Sequence, residues 1–159
     1  MVEQEPRGTE DRDESEAERD DRKWNDMLQE LRVMQTSAQL LAGFLLTLPF
    51  QQSFGQLTTG QERFYLALVL LAAVVTALVL TPVAIHRRLS GEHVKDRVVS
   101  AGHVFMRLAM VTLAILVAGI VTFVYDVVVD NTAAYTVGAL MLGLLVVLLL
   151  VVPRTLVKR

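Results

Sequence analysis

The stretch FYLALVLLAAVVTALVLTPVAI, Phe64 to Ile85, runs 22 residues without a charge. A helix rises about 1.5 Å per residue, so about 20 residues cross a hydrocarbon core of roughly 30 Å. This stretch is therefore long enough and apolar enough to span a bilayer. Outward from it the pattern repeats. Leu108 to Tyr125 is charge-free for 18 residues, and Asn131 to Pro153 for 23. Val33 to Gln61 also lacks charge, with its apolar part ending at Phe50. Four such runs predict an all-α, four-helix transmembrane bundle, with spans at about 31–50, 64–85, 105–125 and 134–153. A soluble fold would need an amphipathic helix to cover these four, and none is left over. A membrane β-barrel would need short alternating strands, which are absent.

Charge is segregated. Residues 1–23 hold ten acids and five bases, while residues 24–159 hold seven acids and ten bases. The net −2 of the 159-residue chain is thus an acidic tail joined to a basic body. The tail has almost nothing apolar to bury, which predicts a disordered acidic segment over residues 1–23, with a short helical turn before Trp24 supported by Glu18 and Arg22. It also lacks the basic and apolar regions of a secretory signal. Residues 24–159 form the four-span membrane domain.

Lys and Arg near span ends set orientation. Arg19, Arg22, Lys23 and Arg32 precede span one. Arg87, Arg88, Lys95 and Arg97 lie between spans two and three, and Arg154, Lys158 and Arg159 follow span four. The first connection, about 51–63, has only Arg63, and the third, about 126–133, has none. This predicts an up-down topology in the cell (plasma) membrane, with both termini and residues 86–103 cytoplasmic. Pro49, Pro82 and Pro153 stand at or near the expected ends of spans, where a missing backbone donor is tolerated.

Span one differs from the rest. Asn25, Gln29, Arg32, Thr36, Gln39, Gly43 and Thr47 recur at steps of three and four, so they share one helix face. Leu31, Leu41, Leu45 and Leu48 lie opposite. Polar side chains turn away from hydrocarbon, so this face is expected to pack against protein, with close backbone approach at Gly43, or to line water. Trp24 is expected at the interface as an aromatic anchor. On span three, Arg107, Val111, Ala114, Ala118, Thr122 and Tyr125 share a side, and Ala114 with Ala118 allows close approach. By depth, Glu30 can pair with Arg107 at one end, and Arg63 with Asp126 at the other.

Catalytic patterns are missing. His86, His93 and His103 have no carboxylate spacing for a metal, there is no cysteine, and no phosphate loop or nucleophile elbow occurs. No acid lies mid-span, where ion coupling usually places one. No enzyme activity, metal or cofactor is expected. The bases read as topology determinants rather than a nucleic-acid surface.

The motif Glu30-Leu-Arg-Val-Met-Gln-Thr36 with Gln39, then Phe44-Leu-Leu-Thr-Leu-Pro-Phe50 and Phe54, resembles the opening of a family of small actinobacterial four-span membrane proteins. Pro82-Val-Ala-Ile-His86 and Val-Tyr-Asp126 are similar to the same family, over roughly residues 23–155. That family is catalogued as a domain of unknown function, and some members bear the label sodium:proton antiporter. The resemblance implies a membrane module without assigned chemistry. Two functions are carried forward. One is a non-catalytic integral membrane protein that packs with itself or a larger membrane partner through the polar face of span one. The other is a small oligomeric channel or cation/proton-coupled transporter lined by that face.

Overall fold

The computed structural model describes residues 16–89 and 95–157. Helix α1 spans Glu16–Thr47 and ends in two short 3-10 turns, Leu48–Phe50 and Gln52–Gln56. Then come α2, Thr59–Leu89; α3, Lys95–Val128; and α4, Asn131–Val146. The last continues through a π-helical turn, Val147–Val151, into the short α5, Val152–Val157. Four segments are long and apolar enough to cross a membrane: Arg22–Phe50, Thr59–Ile85, Gly102–Val128 and Asn131–Thr155. No strand occurs among the described residues.

Several boundaries differ from the sequence expectation. Residues 16–23 are the first turns of α1, which take in the helical turn expected before Trp24, consistent with Glu, Ala and Arg as strong helix formers. The remainder of the expected tail, residues 1–15, lies outside the described residues. Pro82 does not end α2, which continues to Leu89. Its ring is instead buried in the bundle. Only Val129 and Asp130 separate α3 from α4. Pro153 is preceded directly by the π turn, in which the Val152 N–H donates to the Val147 carbonyl. A proline ring crowds the carbonyl four residues back, and a wider turn relieves that contact.

The core follows a seven-residue repeat. Buried positions on α1 are Trp24, Met27, Leu31, Met34, Ala38 and Leu45, with Leu41 and Leu48 partly buried in step. On α2 they are Tyr65, Leu68, Ala72, Val75, Val79 and Pro82. On α3, Gly102, Ala109, Leu116 and Phe123 recur every seven residues, with Met106, Leu113 and Ile120 interleaved. Steps of three and four sustained over three helices give the left-handed knobs-into-holes packing common to coiled coils and membrane bundles.

Glycine decides how closely the helices approach. A Cβ at Gly102 would meet Met27 Sδ and come 3.7 Å from the Trp24 ring, and one at Gly119 would meet Leu68 Cδ2. Trp24 therefore packs into the core across from Gly102 instead of standing out as an interfacial anchor. Contacts between helix ends establish the alternating order. The starts of α1 and α3 meet at Met27 and Gly102, and the start of α2 meets the end of α1 at Tyr65 and Leu45.

Helices α1, α2 and α3 touch one another, whereas α4 packs only along α3. Its first sixteen residues bury just Ala134 and Gly138. The contact face on α3 is the one expected to be small. Ala118 is buried, and Gly138 sits so close to Thr122 that any Cβ there would collide with it. Much of the rest of α4, including Leu140, Leu142 and Leu144, is exposed, as suits a helix facing lipid.

Candidate functional site

Two places on this scaffold concentrate polar groups where a membrane protein has few. The first is α1. Its heptad stripe faces α2 and α3, so the polar stripe opposite faces away from the bundle. Gln29, Glu30, Arg32, Thr36, Gln39, Gly43 and Thr47 are all exposed. Within a single copy this face therefore contacts neither α2 nor α3. Larger apolar side chains at Leu31, Leu45 and Leu48 fill the core more effectively and take that side. Gly43 likewise makes no close approach, because nothing lies within 4 Å of a Cβ built there.

Most polar groups on the stripe are satisfied locally. The Thr36 hydroxyl donates to the Arg32 carbonyl at 3.0 Å, and that of Thr47 to the Phe44 carbonyl at 2.7 Å. Gln29 and Arg32 lie side by side, with Nη1 to Oε1 at 3.5 Å. Asn25, Glu30 and Gln39 have no side-chain hydrogen-bond partner among the described residues, and of these Gln39 alone lies within the charge-free apolar stretch. It sits near the middle of the apolar stretch Val33–Phe50, one turn before the bare backbone at Gly43.

The second place is the end of the bundle where α2 begins and α3 ends. Hydrogen bonds tie its walls together. Thr58 and Gln61 form a reciprocal cap: the Thr58 N–H donates to Gln61 Oε1 at 2.9 Å and the Gln61 N–H to Thr58 Oγ1 at 3.3 Å. Gln61 Nε2 also donates to the Asp126 carbonyl at 3.3 Å, tying the start of α2 to the end of α3. Asp130 caps α4 through the Ala133 N–H at 2.8 Å. Behind them, Tyr65 packs edge-on against Phe54 at 5.1 Å, and Phe64 and Phe123 pack at 6.1 Å.

Between these caps lies an open cup of about 440 Å³, lined by Gln61, Phe64, Thr122, Asp126, Asn131 and Tyr135 among others. Asp126 is half-buried in its wall. The two ion pairs expected from depth are not made. Arg63 is exposed and does not pair with Asp126, and Glu30 and Arg107 are exposed and unpaired with each other. Arg63 follows the cup-lining Gly60 and Gln61 on the helix and projects outside the cup. Long basic side chains reach headgroup depth without a partner. Of the candidate residues, the structure thus groups Gln29 and Arg32 on one face, leaves Arg107 apart, and joins Asp126 to residues that sequence reasoning passed over. One of these was legible, since Thr-x-x-Gln before an apolar run is a helix-start signature.

With that geometry in place, comparison with known proteins gives one match. A family model described as a family of unknown function, DUF6328, matches residues 13–153. The chain belongs to the DUF6328 family. No curated protein and no solved structure matches it. The match to DUF6328 covers the first three spans, all but the last two residues of the fourth, and both polar places.

Proposed function

We propose that this DUF6328 protein is a non-catalytic multi-pass membrane module that pairs with a second copy of itself through the outward face of α1. The observation that carries this reading is Gln39, exposed near mid-depth with no partner among the described residues. An amide facing hydrocarbon alone is costly, and interhelical hydrogen bonds relieve that cost. A carboxamide both donates and accepts, so Gln39 of one copy complements Gln39 of another across a two-fold axis. Gly43, bare on the same face, lets the second helix come close. The Lys and Arg distribution supports both termini and residues 86–103 lying on the cytoplasmic side.

The chain has no native cysteine, so single replacements report proximity cleanly. Gln39→Cys is expected to crosslink into dimers in membranes, whereas Leu66→Cys and Leu140→Cys, exposed on other faces, stay monomeric. Gly43→Leu should dissociate the pair, and Gln39→Leu should weaken it by about 0.6–2 kcal/mol, the range of measured interhelical hydrogen bonds. If the stripe instead lines a water path in a channel or transporter, Gln39→Leu abolishes ion flux in proteoliposomes and leaves assembly intact. Equal crosslinking at all three positions would overturn the assignment.

A further inference from the structure

The cup at the start of α2 does not stand alone. Thr122 and Tyr135 line it, and the same two residues line an apolar groove of about 470 Å³ between α3 and α4. Ile115 and Leu142 line that groove, and they also line a further apolar cavity of about 230 Å³ that extends to Leu149. A polar cup at the membrane surface thus leads into an apolar furrow. The furrow exists because α4 packs only along α3, leaving its flank toward α2 uncovered. From Thr122 down to Val111 is eleven residues of α3, about 16 Å. One leaflet of a 30 Å hydrocarbon core is about 15 Å deep.

We propose that cup and furrow hold one phospholipid with a primary-amine headgroup, its ammonium on Asp126 and an acyl chain along α3 and α4. Charge complementarity argues for the headgroup. Asp126 contributes a carboxylate to the cup wall, no basic side chain lines the cup, and none pairs with Asp126 among the described residues. The Thr122 hydroxyl donates to the Ala118 carbonyl at 2.8 Å and keeps acceptor capacity for an ammonium N–H. A choline group offers no N–H to these acceptors. Below Thr122 and Tyr135 the groove walls, Ala118, Gly119, Ala139 and Leu142 among them, are apolar and suit a hydrocarbon chain.

The test is lipid retention. The full chain is reconstituted in vesicles of equal parts phosphatidylethanolamine, phosphatidylcholine and phosphatidylglycerol, extracted in mild detergent, and its bound lipid quantified. Phosphatidylethanolamine is expected to be enriched about tenfold over the others, the scale of one charge-assisted hydrogen-bonded contact. Asp126→Asn, which keeps the side-chain shape, should return the ratio to that of the vesicle. Ala139→Phe, which fills the groove, should lower retention of every class. Lipid retained in the bulk ratio by the unaltered chain overturns the proposal without any variant having to fold, and so does a preference for phosphatidylcholine. Persistence of the enrichment in Asp126→Asn would overturn the role of the carboxylate.

Discussion

The Tyr65 hydroxyl donates a 2.9 Å hydrogen bond to the backbone carbonyl of Leu45, twenty residues earlier in the chain. Position 49 explains why. In a continuing helix the Leu45 carbonyl would accept the N–H of the residue four ahead, and Pro49 has none. Helix α1 ends at Thr47 and tightens into a 3-10 turn there. A carbonyl deprived of its helical donor by a proline is thus met, at a buried position, by a phenol from the next span. The same tyrosine packs against Phe54 of the connecting segment, so one side chain fixes the α1–α2 corner.

Tyr65→Phe keeps the ring and removes the donor. It is expected to destabilise the chain by about 1–3 kcal/mol, the cost of leaving a buried acceptor unmet. Pro49→Ala returns an N–H to Leu45, and in that background Tyr65→Phe should lose more than half its effect. Unfolding in denaturing detergent, run as a double-mutant cycle, measures the coupling. Additive effects would show that Pro49 is not the reason for the bond.

Gly138 and Gly43 make opposite predictions. Thr122 is β-branched, and its hydroxyl is held by the Ala118 carbonyl, so it has little freedom to yield to a Cβ at position 138. Gly138→Ala is expected to cost about 1–3 kcal/mol through overpacking and to be largely relieved by adding Thr122→Ala. Within a single copy Gly43→Ala meets nothing within 4 Å, so under conditions that keep the chain monomeric it should leave stability unchanged or raise it by up to about 1 kcal/mol through helix propensity. Thermal unfolding in detergent compares the three variants, and an equal loss at both glycines would contradict this division.

The four spans and their alternating order were legible because a bilayer demands long charge-free runs and nothing in them is ambiguous. Which face of each span turns inward was less so. In water, polarity separates inside from outside, but lipid is as apolar as a core, so Leu40 and Leu45 look alike in sequence although one is exposed and the other buried. Ala38, Ala72, Ala109 and Gly119 stand where helices meet, yet Gly43, Ala73 and Ala77 are exposed, so size alone does not separate the two faces either. The stripe on α1 was legible as a stripe. That it faces away from its own bundle follows only once the heptads of α2 and α3 have filled the other side. Asp126 was noticed for its charge, whereas its grouping with Asn131 and Tyr135 depends on the two-residue turn between α3 and α4, which the sequence expectation made several residues longer.

Orientation is open to direct labelling. Ser53→Cys and Asn131→Cys are expected to react with a membrane-impermeant maleimide added to intact cells, and Ser90→Cys only after the membrane is opened. The basis is the excess of Lys and Arg flanking position 90 and its near-absence beside positions 53 and 131. Reaction of Ser90→Cys in intact cells would invert the assignment.

The cap at the start of α2 serves two purposes that substitutions can separate. Thr58→Ala removes one half of the reciprocal bond and should cost about 1 kcal/mol, as helix caps do. Gln61→Ala removes the other half and also the bond from Nε2 to the Asp126 carbonyl, so it should cost more and loosen α3 as well as α2. Gln61→Glu keeps an oxygen for the Thr58 N–H but has no donor for Asp126, and it places a second carboxylate near the first. Hydrogen exchange then distinguishes the roles. Thr58→Ala should raise exchange in the first turn of α2 alone, whereas Gln61→Glu should spare that turn and raise exchange near the end of α3. If both substitutions loosen only α2, the bond across to Asp126 contributes nothing to holding the two helices together, and the wall of the cup is set by α4 and the aromatic cluster instead.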